Sequence, residues 1–382
     1  MIQMRAPGIV GTGETAFMRR PGPACSTAGL LAQAIELALA DAGLALADVD
    51  GLGVASFTLR PDRAIDLAWQ LGLGLRWCMQ DEMGGASAIN LLRQAWLALQ
   101  AGQARTIVLV AGDHFAGADF AALVQAYNTS ARDYLSPLGC LGPNPLFAML
   151  TQRQMAACGL QRDDYGALCI AQRRNAANNP NAAYRQALSL QDYLDAPLVA
   201  PPLGRLDCVP VVSGATALVL QAQPQGVSVR LLAQGAGYNL DRQEGDGLST
   251  GIAGFAKALW AQAECLPAQM DVVGVYDDYP AMILAQMVDL GLSPAHALKD
   301  FIHRRLASGA LPFNTAGGQL SAGQTGAGGG MHILAEVVRQ LLGRAGPGQV
   351  AGARLGVASG YGMVQQRYGM CANAVVLGRE ET

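Results

Sequence analysis

Gly84-Gly85-Ala86-Ser87 is the stretch that decides the fold, because it opens a helical pattern that runs to Leu99. After a break at Gly102, an apolar strand pattern follows from Thr106 to Val110. A turn of small residues that leads directly into a helix, followed by a buried strand, is typical of α/β layering.

The same order of features recurs near the other end of the chain. Gly328-Gly329-Gly330 opens a helix to Leu342, a break follows at Gly343, and a strand pattern covers residues 355–358. Two such units indicate an internal duplication. We therefore predict an α/β fold of two similar halves, residues 1–225 and 226–382.

Residues 115–210 differ from both units, since they are rich in Asn, Pro, Arg and Tyr and lack strong strand patterns. We interpret them as a loop-and-helix insertion in the first half. Loops of this kind are the usual place for substrate contacts, so we expect the insertion to cover a site.

Composition and charge exclude several classes of partner. With 51% hydrophobic and 14% charged residues among 382, the chain is expected to be compact and globular. Its net charge of -3 provides no basic surface for many phosphates, so we expect no nucleic-acid partner. Apolar windows such as Leu30 to Leu46 contain charged residues, here Glu36 and Asp41, and Met1 to Glu14 shows no targeting pattern. We therefore expect a cytoplasmic protein without a membrane partner.

Cysteine and histidine spacing gives no sign of a metal site. The 8 Cys contain no C-x-x-C pair, and the 4 His do not cluster with them. Neither a zinc site nor a disulfide framework is expected.

The turn at Gly85 and Ala86 is a candidate oxyanion or thioester-carbonyl site. Backbone N–H groups and the positive end of the helix dipole point at one spot where a helix begins. The alternative is a tight turn that simply requires small residues. His114, at the end of the first-half strand, either belongs to this site or hydrogen-bonds a loop carbonyl.

A second candidate is Tyr276-Asp277-Asp278-Tyr279, which follows a predicted strand from Asp271 and precedes a helix from Pro280. Active sites lie at strand ends in α/β sheets. Adjacent buried carboxylates have pKa values moved toward neutrality, which suits a general acid or base. The alternative is that Asp278 caps the helix and the tyrosines pack.

Several ordered motifs resemble the sterol-carrier-protein-x, or lipid-transfer, branch of the thiolase superfamily. They are residues 172–185, Leu206-Asp207-Cys208-Val209-Pro210, Ser213 to Leu218, Asp271 to Leu292, and Asn314 to Ser321. The resemblance covers essentially the whole chain. It implies a five-layer α/β/α/β/α fold, a homodimer, and activity on acyl-CoA thioesters, with coenzyme A as part of the substrate and no tightly bound cofactor.

The resemblance implies which positions of this chain correspond to the catalytic residues of working thiolases. At each of these positions the chain has a different residue. The nucleophilic Cys position aligns with Gly85, and the His of the G-H-P loop aligns with Gln324 in Gly323-Gln324-Thr325. The Gly-rich loop that carries the second Cys reads Ser359-Gly360-Tyr361-Gly362. A covalent acyl-Cys mechanism therefore lacks both nucleophile and base.

This pattern resembles thiolase-like lyases that cleave steroid-type side chains by a retro-aldol step without a Cys, in complexes with a small OB-fold, zinc-ribbon partner. The expected catalytic residues are Tyr276 as acid, Asp277 or Asp278 as base or orienting group, and Tyr361 as a second hydroxyl. The expected oxyanion and substrate-binding residues are Gly85, Ala86, Gly323, Gln324, Gly360 and His114.

Two alternatives stay open. One is a Claisen-type thiolase, an acyltransferase that uses a displaced thiol such as Cys78 or Cys140. The other is a non-catalytic thiolase-fold subunit that binds acyl-CoA or scaffolds a partner.

Overall fold

Strands and helices alternate along the computed structural model, which describes residues 6–115, 119–125, 128–240, 247–365 and 368–381. The strands are β1 (Gly8–Glu14), β2 (Gly51–Ala55), β3 (Trp77–Asp81), β4 (Thr106–Asp113), β5 (Leu198–Ala200), β6 (Leu203–Gly204), β7 (Gly214–Gln221), β8 (Val227–Tyr238), β9 (Val272–Gly274), β10 (Leu355–Gln365) and β11 (Tyr368–Glu381). Residues 1–5 of the predicted first half, and 116–118 and 126–127 of the predicted insertion, lie outside the described residues.

The helices are α1 (Thr27–Ala42), α2 (Ala64–Gln70), α3 (Ser87–Gln100), α4 (Asp119–Gln125), α5 (Asn144–Cys158), α6 (Arg162–Ala176), α7 (Leu190–Leu194), α8 (Ala256–Ala263), α9 (Pro280–Asp289), α10 (Leu298–Phe301), α11 (Gly318–Ala322) and α12 (Gly329–Leu342). Their ends follow local sequence. The Ser26 hydroxyl accepts a hydrogen bond from the Gly29 N–H at the start of α1, and Gly43 ends that helix in the left-handed region with φ of 68°.

The strand order repeats between the halves. The first half has the order β3-β2-β4-β7-β1, and the second continues it outward as β8-β11-β10-β9. A parallel bridge between Val273 and Phe313 takes the place that β3 has in the first half. Each half contains one parallel pair of neighbouring strands, β2 with β4 in the first half and β9 with β10 in the second. The next strand then pairs in the antiparallel sense, β7 with β4 and β11 with β10. The predicted duplication is confirmed, and position 225 lies in the connection between β7 and β8.

Five layers result from this arrangement. Helices α3 and α12 pack between the two halves of the sheet, in a core that includes Leu91, Leu109, Leu334 and Val375. Helices α1 and α2 cover the outer face of the first half. Helices α8 and α9, with α5 and α6 of the insertion, cover the outer face of the second.

The helix starts predicted from the glycine turns are confirmed, whereas one strand is shorter than expected. The strand predicted from Asp271 to Tyr276 is regular only over Val272–Gly274. Beyond it, the Asn314 side chain replaces a neighbouring strand: its Oδ1 accepts from the Val275 N–H at 2.9 Å, and its Nδ2 donates to the Val275 carbonyl at 3.0 Å. The chain is therefore free to turn toward the cavity described below.

Among the described residues, none of the helices has the length and apolar character needed to cross a membrane.

Candidate active site

A cavity of about 350 Å³ lies where the two halves and the insertion meet. Gly85, Tyr276, Asp278, Gln324 and Tyr361, all predicted from the sequence, line it together. Most of the remaining lining is apolar and includes side chains of the insertion: Phe120, Leu123, Val124, Leu135, Leu141, Leu146 and Val209. The site therefore combines a small polar centre with an apolar wall, as ligand pockets commonly do.

Gly85 lies at the bottom of this cavity, packed against both tyrosines. A Cβ placed on Gly85 would overlap the ring of Tyr276 and lie 2.5 Å from the carbonyl oxygen of Tyr361. A Cβ on Gly330 would in turn overlap the carbonyl group of Gly85, so the starts of α3 and α12 touch. Position 85 can therefore carry no side chain while Tyr276 stays in place.

Gln324 connects the polar groups of the cavity. Its Nε2 donates to Asp278 Oδ1 at 2.8 Å and lies 3.4 Å from the Tyr276 hydroxyl. Its backbone is held on both sides, because its N–H donates to the Pro210 carbonyl at 2.8 Å and its carbonyl accepts from Val212 at 3.0 Å. The Gln324 amide is thus fixed toward the Asp278 carboxylate.

Tyr276 is positioned by a buried glutamine of α9. Gln286 Nε2 donates to the Tyr276 carbonyl at 2.6 Å, and Gln286 Oε1 accepts from the Ser359 hydroxyl at 2.8 Å. Ser359 precedes Gly360 and Tyr361 on β10, so a single side chain ties the backbones of the two cavity tyrosines together.

The electrostatics of Asp278 suit a proton-transfer group. Burial raises its pKa to about 7, a hydrogen bond from the Tyr276 hydroxyl opposes this, and the neighbouring Asp277 charge adds to the increase. A carboxyl with a pKa near neutrality can accept a proton and return it in the same pH range.

Asp277 does not face the cavity, which corrects one candidate assignment. It accepts hydrogen bonds from Gln172 Nε2 at 2.5 Å and from the backbone N–H groups of Gln319 (3.0 Å) and Leu320 (3.3 Å). Burial raises its pKa to about 6, although these bonds oppose the increase. Asp278 lines the cavity and Asp277 does not, so only one of the two carboxylates reaches it.

Among the described residues, four others that the sequence predicted for the site do not line the cavity: Ala86, Gly323, Gly360 and His114. The Ala86 N–H donates to the Met83 carbonyl at 3.2 Å, closing a single 3₁₀ turn before α3. It is therefore not directed at a ligand, whereas Gly84 and Gly85 of the same turn line the cavity.

The glycines and His114 have supporting positions. Gly323 has φ of 121°, a conformation that other residues rarely adopt. A Cβ on Gly360 would lie 2.8 Å from the Gly85 carbonyl oxygen, so this glycine allows β10 to approach the turn. The backbone N–H of His114 donates to the Thr58 hydroxyl at 3.2 Å, and the role of its imidazole stays a prediction.

Sequence reasoning missed two features around the site. The Tyr279 hydroxyl donates to Asn144 Oδ1 at 2.6 Å and its ring stacks on Phe147, which joins the catalytic strand end to α5. Buried Asp113, whose pKa burial raises to about 6, accepts bonds from Thr58 and from the Ala327 N–H and so joins the halves. A carboxylate directly after a strand was the available signal, since Asp278 was identified from the same pattern.

Two thiols line the cavity, Cys140 and Cys208. Burial, with the nearby Asp207 charge, raises the pKa of Cys208 to about 12, so its reactive thiolate is suppressed. Exposed Cys78 lies outside the lining.

Comparison with known proteins places this geometry in a family. Residues 237–379 match the family model described as "Thiolase C-terminal domain-like". Over 360 residues the chain is 33% identical to "17-hydroxy-3-oxo-4-pregnene-20-carboxyl-CoA lyase" of Mycobacterium tuberculosis, covering 88% of this chain and 91% of that protein. It is 30% identical to "Steroid side-chain-cleaving aldolase" of Thermomonospora curvata, with coverage of 88% and 90%. The chain belongs to the thiolase-like aldolase family.

A solved structure supports the membership. The one described as "Ltp2-ChsH2(DUF35) aldolase" superimposes with a TM-score of 0.82 at 27% identity, covering 98% of this chain and 97% of that chain. Human mitochondrial 3-ketoacyl-CoA thiolase, at 16% identity and a TM-score of 0.69, shares the fold with this thiolase-like aldolase family member. The predicted thiolase fold is confirmed.

Proposed function

We propose that this protein cleaves a β-hydroxyacyl-CoA by a retro-aldol step, or runs the reverse addition, without a cysteine nucleophile. The observation that carries the proposal is the Tyr276 ring, which fills the space that a side chain at position 85 would need. A thiol there is excluded on steric grounds, while Asp278, with a pKa near 7, supplies a base in the same cavity. The names of the two aldolase relatives support the same class of reaction.

The bond changes balance without another reactant. Asp278 takes the proton of the β-hydroxyl, the Cα–Cβ bond breaks, and the hydroxyl carbon becomes a ketone or aldehyde. The electron pair of the broken bond forms the thioester enolate. Tyr276, which hydrogen-bonds Asp278, delivers a proton to Cα to give the shortened acyl-CoA, and Asp278 returns a proton to Tyr276.

Stabilisation of the enolate oxygen falls to the helix start. The Gly85 N–H stands before the first turn of α3, where unpaired amides and the helix dipole favour negative charge. We assign the Tyr361 hydroxyl as a further donor at the same cavity. Gln324 holds Asp278 through its 2.8 Å bond and so orients the base.

The apolar lining indicates the substrate class. Leucine, valine and phenylalanine side chains of the insertion contribute to the wall of the cavity that Asp278 lines. A bulky apolar acyl group gains by burial there. Together with the steroid named for both relatives, this supports a steroid-type side-chain thioester as substrate. Coenzyme A then enters as part of the substrate, and no tightly bound cofactor is required by the steps above.

We also propose that the chain acts in an assembly. The description of the solved neighbour pairs two components in one aldolase. A homodimer of this chain with a small OB-fold, zinc-ribbon subunit, in the cytoplasm, is the arrangement that we infer.

The test is a turnover assay in the absence of free coenzyme A. The purified protein, alone and with a candidate partner subunit, is incubated with a steroid-type β-hydroxyacyl-CoA. A ketone plus a shortened acyl-CoA in equal amounts supports retro-aldol cleavage. Cleavage that requires added coenzyme A, or that is lost in Cys140→Ser, would instead indicate a thiolase that uses the displaced thiol.

A further inference from the structure

A second cavity, of about 330 Å³, lies behind the candidate active site. Its lining consists of Arg19, Arg173, Tyr184, Arg205, Leu206, Cys208, Val209, Pro210 and Leu320. Among the residues that the structure describes, its lining contains three guanidinium groups and no carboxylate. A cavity of this size with one sign of charge focuses the field on anions.

Arg173 is the central observation, because it is a buried cation without a carboxylate partner. Its residue is 8% exposed, and its Nε donates to the Ser321 hydroxyl at 3.1 Å. None of the ion pairs found among the described residues includes it. Buried charges are normally paired, and the end of helix α6 supplies only a partial negative charge.

Tyr184 brings a second guanidinium close to the first. The guanidinium carbon of Arg173 lies 5.0 Å from the centre of the Tyr184 ring, and that of Arg19 lies 5.1 Å from the same ring. The two positive charges are therefore no more than about 10 Å apart. An anion bound between these two guanidinium groups offsets the repulsion between their like charges.

The nearest acid is already engaged elsewhere. Asp207 accepts from the Tyr193 hydroxyl and from the Gly204 N–H, and pairs with Arg162 at 3.9 Å. Asp207 therefore does not neutralise the charge of the neighbouring Arg205. The exposed side chain of Arg205 lines the cavity.

We propose that this cavity binds the phosphate groups of a ligand through Arg19, Arg173 and Arg205, with Tyr184 as an aromatic wall. Phosphate oxygens match the planar donor geometry of guanidinium groups. Cys208 and Val209 line both this cavity and the candidate active site, so the two share a wall. The phosphates come either from the nucleotide end of a coenzyme A thioester, which rests on the proposed function, or from a free phosphate compound.

Equilibrium titration tests the site without any turnover. The probes are coenzyme A, 3′-phosphoadenosine 5′-diphosphate and inorganic pyrophosphate, each at fixed ionic strength. The Arg19→Gln/Arg205→Gln double variant removes two exposed cations of the cavity. The matched control, Arg20→Gln/Arg185→Gln, removes the two neighbouring exposed cations outside its lining.

We expect at least one probe to bind the wild type and to bind the Arg19/Arg205 variant about tenfold more weakly or worse, with the control unchanged. Binding of the nucleotide in competition with coenzyme A identifies the thioester as the source. Binding of pyrophosphate that coenzyme A does not displace identifies a free phosphate compound. Absence of binding by all three probes, or equal weakening in both double variants, would overturn the proposal whether or not the protein has aldolase activity.

Discussion

At the scale of single residues, the site is a set of coupled replacements. The Tyr276 ring occupies the volume that a side chain at position 85 would need, and Gln324 donates to Asp278 where a histidine would be a base. A side chain added at position 85 would clash with Tyr276, and loss of the Gln324 amide would remove one of the hydrogen bonds that Asp278 accepts. Gly85 was identified from a glycine turn and Tyr276 and Asp278 from a strand end, whereas Gln324 was identified through the family resemblance. The sequence could not tell which aspartate faces the cavity, because Asn314 ends the regular strand early.

The pH dependence of turnover follows from Asp278. Its pKa of about 7 means that the base form disappears as pH falls through neutrality. We expect kcat/KM to rise with pH to a plateau, with an apparent pKa of about 7. A profile with no ionisation between about pH 6 and 8 would argue against Asp278 as the base.

The stability of Asp278→Asn tests the same pKa independently. A carboxyl whose pKa is raised from 3.8 to about 7 on folding stabilises the folded state below pH 3.8 and loses that contribution as pH rises through 7. The neutral amide of the Asp278→Asn variant does not titrate, so the variant does not lose this stability as pH rises. We expect the variant to gain on the order of 1–3 kcal/mol in unfolding free energy at pH 8 and little at pH 4. Equal effects at both pH values in denaturant titrations would contradict the raised pKa.

At the scale of elements, short segments position the catalytic groups. Asp277 joins α6, through Gln172, to the first turn of α11, whose following loop carries Gln324. The helix starts were predictable because glycine turns and helical periodicity are local signals. The tether that Asp277 forms between these helices was not predictable, because its hydrogen bond from Gln172 joins residues that are 105 positions apart in the chain.

Asp277→Asn is expected to damage this tether. The amide has one acceptor oxygen for several donors and places its own N–H₂ among them. We expect a loss of about 1–3 kcal/mol in unfolding free energy at pH 7.5. Asp278→Asn, for which no loss is expected at this pH, is the matched control, and an Asp277→Asn protein as stable as this control would show that the tether is not structural.

At the scale of the whole molecule, the two halves repeat one strand order and are joined across the centre. Glu14 of β1 and His332 of α12 form a buried pair with 2.6 Å between Oε2 and Nδ1. Burial alone would raise the pKa of Glu14, but the charge and hydrogen bond of His332, together with the Arg339 charge and the Asn181 hydrogen bond, lower this pKa to about 2. The duplication was predictable from two repeated motifs, whereas this pair was not, because 318 positions separate its members.

Glu14→Gln is expected to weaken the joint between the halves. Removing one member of a buried ion pair leaves an uncompensated charge and costs about 3–5 kcal/mol. The contribution of Glu14 is present above its unfolded pKa of 4.5 and is lost as pH falls through about 2. The difference between wild type and variant in denaturant titrations should therefore shrink over that range, and a difference that stays constant would contradict the pairing.

The most direct test of the account is the turnover of Asp278→Asn on a β-hydroxyacyl-CoA, measured beside Tyr276→Phe and with folding checked by thermal unfolding. Both variants keep the apolar wall and the Gly85 turn. The account predicts a folded Asp278→Asn protein whose kcat is reduced about 100-fold or more, as expected for loss of a positioned base. A folded variant that retains turnover within about threefold of wild type would contradict it.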